Sequence, residues 1–127
     1  SDPRSLSKTV NQMKILVTGA NGFIGTHLCQ ELSKRGISYR ASARDSNKKN
    51  YSDFVSCDLE TTESLKQLMD ECQVVIHLAG RAHATNDDSW DKYRAANELV
   101  TQRLASAAAQ NGVTRFVYIS SIKVNPR

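Results

Sequence analysis

The stretch Val17–Leu28, VTGANGFIGTHL, holds three glycines, Gly19, Gly22 and Gly25, at intervals of three residues. Glycine loses more backbone freedom on folding than any other residue, so it is a costly choice inside regular structure. An apolar run, MKILVTG, leads into these glycines, and a segment with apolar residues at helical spacing follows them. The stretch is therefore predicted to be a tight turn between a buried strand and a helix.

The remainder of the chain repeats this alternation of strand and helix patterns. The further predicted strands are ISYRASAR, FVSCDL, QVVIHLAG and TRFVYISS. The predicted helices are GFIGTHLCQELSKRG, TTESLKQLMDEC with an N-capping Thr61 or Thr62, and SWDKYRAANELVTQRLASAAAQNG. Gly36 and Gly112 stand where helix ends favour glycine. The alternation predicts an α/β fold: a Rossmann-like, doubly wound parallel sheet with strand order 3-2-1-4-5 and helices on both faces.

Length and composition indicate one soluble globular domain. The chain has 127 residues, of which 39% are hydrophobic and 24% charged. No apolar run approaches the roughly 20 residues that span a bilayer, so no membrane segment is expected. Residues 1–12 are polar and are predicted to be a tag remnant or disordered lead-in, which leaves 13–127 as the folded domain.

Charge and cysteine content exclude two further classes of site. The net charge of +4 suits an anionic ligand, but basic and aromatic residues do not interleave as in a nucleic-acid surface. The three cysteines and three histidines show no metal-ligand spacing, so no metal site is expected. An odd number of cysteines without a pairing pattern favours a reducing, cytoplasmic setting.

The position of the glycines gives each a predicted role. In a doubly wound sheet, ligands bind at the carboxyl ends of the strands where strand order reverses, beside the loop after the first strand. Gly19 would allow the tight turn, Gly22 would let a diphosphate approach the backbone, and Gly25 would let the helix pack closely on the sheet. The N-terminus of that helix offers N–H groups to phosphates. A tight turn without a ligand is the alternative explanation.

Several motifs resemble those of the extended short-chain dehydrogenase/reductases, in particular the nucleotide-sugar epimerases, dehydratases and 4-ketoreductases. They are TGANGFIG, CDL, HLAG, YRAAN followed by TQRLASAA, and YISSIKVN, and the resemblance runs from Met13 to about Asn125. The SSIKVN variant is most similar to enzymes of bacterial surface-polysaccharide synthesis. The resemblance implies an NAD(P)-dependent enzyme that acts on a nucleotide sugar.

The resemblance also implies roles for individual residues. Asp58 would hydrogen-bond the adenine amino group, and Ser121 would be the catalytic residue at the end of the fifth strand. The full set of expected cofactor-binding residues is Gly19, Asn21, Gly22, Phe23, Ile24, Gly25, Arg44, Asp58, Leu59, Leu78, Ala79, Gly80 and Asn97. Simpler readings remain open: Asp58 as a helix cap, Asn97 as a bridge between backbone groups, and His77 as a packed core histidine.

The end of the second strand bears on the choice between NADP and NAD. NAD enzymes place an acidic residue there, roughly 20 residues past the glycine loop, to bind the ribose 2′-hydroxyl. That place falls at Ala43, and the next residue is Arg44, which can pair with a 2′-phosphate. NADP is therefore expected over NAD, although a shift in register would bring Asp45 to the ribose.

The general acid/base of the resembled family, a tyrosine in a Tyr-x-x-x-Lys motif, has no counterpart in this sequence. None of Tyr39, Tyr51, Tyr93 and Tyr118 has a lysine four residues later. The chain is thus expected to be the cofactor-binding portion, inactive alone, of an enzyme whose missing C-terminal part binds the nucleotide sugar. A stand-alone, non-catalytic NAD(P)-binding or regulatory module is the alternative. The bare edge of the fifth strand favours a homodimer.

Overall fold

The computed structural model describes residues 13–45, 51–61, 65–79 and 87–120. Strands and helices alternate within this part of the chain. In chain order they are β1 (Lys14–Thr18), α1 (Phe23–Lys34), β2 (Ser38–Ala43), β3 (Phe54–Ser56), α2 (Lys66–Met69), β4 (Val74–Ala79), α3 (Asp87–Gln110) and β5 (Arg115–Ser120).

The strands form one parallel sheet with the order β3-β2-β1-β4-β5, which confirms the predicted fold class and strand order. At the carboxyl end of β1, Thr18 lies opposite Ser42 of β2 on one side and His77 of β4 on the other. Strand order reverses between β1 and β4, so the turn after β1 lies at the place where α/β sheets bind ligands.

Side chains alternate between the two faces of the sheet and make a core on each. One core contains Val17, Cys29 and Leu32 and is covered by α1. The other contains Leu16, Val75, Leu104 and the α2 residues Leu68 and Met69. Both faces of the sheet are therefore buried, as the near-continuous apolar strands predict.

The helix after β3 is shorter than its pattern predicts, and the capping role of Thr61 is wrong. The helix begins at Lys66, where the preceding Leu65 makes no capping hydrogen bond through its side chain. The Thr61 amide instead donates to the Asp58 carbonyl at 3.2 Å and closes a turn. Thr62 lies outside the described residues.

The remaining helix ends agree with the sequence. Gly36 and Gly112 have positive φ angles just beyond α1 and α3, as the C-cap pattern predicts. In the ranges given above, no helix has the combined length and apolarity needed to cross a bilayer. At the β5 edge of the sheet, Tyr118 and Ile119 are 42% and 39% exposed. The homodimer expected from this edge stays a prediction.

A partly buried ionic cluster joins the strands toward the amino end of the sheet. The Arg40 Nε of β2 lies 3.2 Å from both carboxylate oxygens of Asp53, and Lys14 Nζ lies 2.5 Å from Asp53 Oδ2. Arg40 Nη1 also donates to the carbonyls of Leu68 and Asp70, both at 2.9 Å. Burial alone raises the pKa of Asp53, but the hydrogen bonds from Lys14 and Arg40 outweigh that effect and lower it.

Replacing Arg40 with glutamine is expected to lower the free energy of unfolding by about 2 kcal/mol, since several backbone carbonyls and a partly buried carboxylate lose their charged donor. Urea denaturation measures this change. Arg35→Gln is the matched control, because Arg35 pairs with Glu31 on the exposed surface of α1 and should cost less than about 0.5 kcal/mol. Equal effects of the two substitutions would contradict a structural role for the ionic cluster of Lys14, Arg40 and Asp53.

Candidate functional site

The carboxyl ends of β1, β2 and β4, the segment after β3, and α3 enclose a cavity of about 430 Å³. It lies at the reversal of strand order, beside the turn that follows β1. The described residues that line it are Gly19, Ser42, Ala43, Arg44, Cys57, Leu59, Glu60, His77, Leu78, Ala96, Asn97 and Val100. Another cavity, of about 480 Å³, is lined by Leu65, Lys66 and α3 and holds none of the predicted site residues.

The fold itself requires two of the three glycines in the turn. Gly19 has a φ of +70°, and a Cβ there would collide with the carbonyl oxygen of Leu78. A Cβ on Gly25 would lie 2.5 Å from the Gly19 oxygen and 2.7 Å from the Ala20 Cα. Both glycines therefore serve the close approach of α1 to the turn and to β4.

Gly22 is different, because the fold leaves room for a side chain there. Its φ is −74° and it is exposed. Among the described residues other than its chain neighbours, a Cβ there would come within 4 Å of the Gly19 oxygen alone, at 3.5 Å. Neither backbone strain nor packing accounts for glycine at this position. Glycine is common at helix N-caps, and at this exposed position it also leaves the backbone open to a bound group.

Gly22 is also the N-cap of α1, and as a glycine it has no side chain to cap the backbone amides. The first hydrogen bond of the helix runs from the Thr26 amide to the Gly22 carbonyl at 2.9 Å. The amides of Phe23, Ile24 and Gly25 consequently have no acceptor within the helix. Together with the helix dipole, they give this end of α1 a partial positive charge suited to an anion.

Neighbouring segments hold the turn in place. The buried Tyr51 hydroxyl donates to the Ala20 carbonyl at 2.7 Å, and the Ala20 amide donates to the Ser42 carbonyl at 3.0 Å. The Asn21 Nδ2 donates to Asp45 Oδ1 at 2.6 Å. The sequence analysis assigned no role to Tyr51. The one feature of the sequence that could have indicated a role is that Tyr51 is an aromatic residue near the end of the polar segment DSNKKNYS.

Arg44 follows β2 directly and is 73% exposed. Its Nη2 lies 3.7 Å from Asp58 Oδ1 and 3.8 Å from Glu60 Oε2. Asp58 also accepts a hydrogen bond from the Glu60 amide at 3.0 Å. Asp58 is therefore not a helix cap, because it organises a turn well before α2 begins. Glu60 was not predicted, although it lines the cavity beside Leu59.

His77 is a buried residue of β4, as the reading of it as a packed core histidine requires. It is 3% exposed, its Nδ1 lies 2.6 Å from the Thr18 hydroxyl, and its ring stacks on Tyr118 with centroids 5.3 Å apart. Within the described part of the chain, its Nε2 has no hydrogen-bond partner. Burial lowers the pKa of His77 to about 4, so the ring is neutral near pH 7.

The other predicted residues fall into three groups. Leu78 and Asn97 line the cavity, and the Asn97 carbonyl accepts a hydrogen bond from the Thr101 hydroxyl at 2.7 Å. Phe23 and Ile24, at the start of α1, are 71% and 38% exposed. Ala79 ends β4, whereas Gly80 and Ser121 lie outside the described residues.

Comparison with known proteins identifies what the chain resembles. The NAD dependent epimerase/dehydratase family matches residues 15–127. A UDP-glucose 4-epimerase of Vibrio cholerae is 36% identical over 116 residues, which cover 87% of this chain and 35% of that protein. The chain spans about a third of the length of the first curated relatives it matches.

Solved structures agree with this assignment. A short-chain dehydrogenase/reductase superfamily protein from Agrobacterium tumefaciens with bound NAD superimposes with a TM-score of 0.72 at 30% identity, over 85% of this chain and 32% of that one. MoeE5 in complex with UDP-glucuronic acid and NAD gives a TM-score of 0.69 at 36% identity, over 85% of this chain and 36% of that one.

The buried His77 predicts a loss of stability in mild acid. Between about pH 6.5 and pH 4 the unfolded chain takes up a proton at His77 that the folded chain excludes, so the free energy of unfolding falls as pH drops. The fall due to His77 should be about 2 kcal/mol between pH 7.5 and pH 5.

Urea denaturation at the two pH values measures this loss, and the comparison with His77→Gln isolates it from the carboxylates that also titrate. His27→Gln, on the exposed surface of α1, should follow the unmodified chain. An identical pH dependence in the unmodified chain and His77→Gln would contradict the prediction.

Proposed function

The chain belongs to the NAD-dependent epimerase/dehydratase family, and we propose that it is the NAD(P)-binding portion of an enzyme that converts a nucleotide sugar. The observation that carries the proposal is Gly22, where the fold has room for a side chain and the sequence has none. The amides of Phe23 and Ile24 and the dipole of α1 supply an anion site at the same place.

The cavity and the glycine turn beside it support an arrangement for a bound dinucleotide. Its diphosphate would lie against Gly22 and the first turn of α1. Asp58 and Leu59 would face the adenine, while Leu78, Ala79, Gly80 and Asn97 would lie beside the nicotinamide. Asn21 would act through the shape of the turn, because its side chain is engaged with Asp45. When bound, the nicotinamide supplies hydride transfer.

We propose NADP as the preferred cofactor, with NAD as the competing choice. Arg44 supports NADP, because it stands at the end of β2 with its guanidinium exposed beside the cavity and the preceding Ala43 carries no carboxylate. NAD is the cofactor named for the Agrobacterium tumefaciens and MoeE5 structures. The preference therefore depends on Arg44 being available to a 2′-phosphate.

The wider setting of the enzyme is proposed from the sequence. The nucleotide sugar would be bound mainly by residues outside this sequence, and Ser121 would hydrogen-bond a sugar hydroxyl or keto oxygen. The SSIKVN segment supports a role in bacterial surface-polysaccharide synthesis in the cytoplasm. Epimerisation, dehydration and ketone reduction share this cofactor half. A stand-alone non-catalytic module would keep the same dinucleotide site without the sugar chemistry.

Replacing Gly22 with aspartate tests the dinucleotide site. Aspartate is a favourable N-cap, so the helix should be preserved. Its carboxylate would occupy the position proposed for the diphosphate and would repel that group. Calorimetric titration should show NAD(P)H binding weakened by at least about tenfold, or 1.4 kcal/mol. Gly36→Asn is the control at a distant helix end with open space around it. Unchanged affinity in Gly22→Asp, with the fold intact by circular dichroism, would contradict the site.

The 127-residue chain alone is expected to show no turnover of UDP-sugars with NAD(P). A serine is a poor acid and base near neutral pH, and positioned acid–base catalysis typically contributes about 10²–10⁴-fold. Loss of sugar positioning over the nicotinamide removes a further large term. The assay uses chain whose NAD(P)H binding has been verified by titration, and measurable conversion would show that a residue of this chain supplies the acid.

A further inference from the structure

The ionic environment of Arg44 bears on cofactor choice in a way that its sequence position does not reveal. Among the described residues that line the cavity, Arg44 and Glu60 are the only lysine, arginine, aspartate or glutamate side chains. They face each other across 3.8 Å, and Asp58 approaches the same guanidinium nitrogen to 3.7 Å. One positive charge is therefore set against two carboxylates.

The distances from Arg44 to these carboxylates exceed the usual range of a charge-assisted hydrogen bond, about 2.7–2.9 Å. The Arg44 guanidinium is thus attracted by the two carboxylates without being hydrogen-bonded to them at these distances. It is also 73% exposed. A 2′-phosphate that approached Arg44 would have to compete with two negative charges within 4 Å of it. A ribose 2′-hydroxyl carries no charge and meets no such repulsion.

The two carboxylates differ in what else they do. The Asp58 side chain accepts the Glu60 amide and so maintains the turn after β3. Glu60 contributes only its backbone to that hydrogen bond, which leaves its carboxylate to act on Arg44 and on the cavity. Glu60 can therefore be changed without removing the known contacts of the turn.

We propose that Glu60 is a specificity-determining residue, whose carboxylate draws Arg44 toward the β3 turn and so reduces the affinity for a 2′-phosphorylated dinucleotide. This inference rests on the proposed dinucleotide site. Arg44 attracts the 2′-phosphate of NADP, and Glu60 weakens that attraction. The ratio of NADP to NAD affinity is then a property of the pair and not of Arg44 alone.

The experiment measures dissociation constants for NADP and NAD by calorimetric titration of Glu60→Gln, which keeps the shape of the side chain and removes its charge. NADP should bind about two- to fivefold more tightly, the range expected for exposed ion pairs, whereas NAD affinity should be unchanged. At about 0.5 M salt the gain should shrink, because exposed charges are screened.

The control variant is Glu31→Gln, which changes the net charge equally but removes the partner of Arg35 on the exposed surface of α1. It should leave the NADP to NAD ratio unaltered. In an Arg44→Gln background, Glu60→Gln should tighten NADP binding less than it does beside Arg44, because the coupling between the two side chains is lost and only the direct repulsion between Glu60 and the 2′-phosphate is relieved.

Three results would overturn the inference while leaving the proposed function standing. They are an unchanged ratio in Glu60→Gln, an equal gain for NAD, and the same shift in Glu31→Gln. A failure of the unmodified chain to bind either nucleotide is a different result: it would overturn the dinucleotide site, and the role of Glu60 with it.

Discussion

The close approach of α1 to the turn after β1 is the constraint on which the site depends. A Cβ on Gly25 would meet the Gly19 oxygen and the Ala20 backbone within 2.7 Å, and one on Gly19 would meet the Leu78 carbonyl. Without these two glycines, the first turn of α1 would stand farther from the sheet. The amides of that first turn would then lie farther from the strand ends.

Hydrogen bonds from distant segments keep the turn in that position. The Ala20 carbonyl and amide are both satisfied, by Tyr51 and by the Ser42 carbonyl, while Asn21 is tied to Asp45. The turn is thereby ordered before any ligand arrives, which reduces the entropy lost on binding. Burial of Tyr51, which also raises the pKa of its phenol, keeps water away from the hydrogen bond to Ala20.

The parts of the structure that local patterns encode were predictable. The sequence of strands and helices and the position of the glycine turn follow from short-range periodicity, and both are confirmed. The reversal between β1 and β4 follows from the doubly wound arrangement expected of such an alternation, and it is confirmed as well. The predicted start of α2 was wrong, because Thr61 belongs to the turn closed by its hydrogen bond to Asp58 and the helix begins only at Lys66. The sequence-predicted roles at Gly80 and Ser121 stay predictions.

Contacts between residues far apart in the chain were the part that sequence reasoning missed. The Tyr51 hydrogen bond to Ala20 spans 31 positions, and that between Thr18 and His77 spans 59. No sequence motif predicts either pair, because each depends on strand register and on how side chains alternate across the sheet. The same holds for Glu60, whose proximity to Arg44 arises because β2 and β3 are neighbours.

The charged side chains at the amino end of the sheet are bonded more tightly than those at its carboxyl end. The first group serves stability, and the second belongs to the proposed recognition of the cofactor. At the amino end, Lys14, Arg40 and Asp53 are largely buried and bonded at 2.5 to 3.2 Å. Charges bonded in this way stabilise the folded state, and removing one of them lowers the free energy of unfolding. At the carboxyl end, Arg44 is exposed and its carboxylate neighbours stand 3.7 Å or more away. Such weakly engaged charges contribute little to folding, and the proposed discrimination between NADP and NAD depends on them.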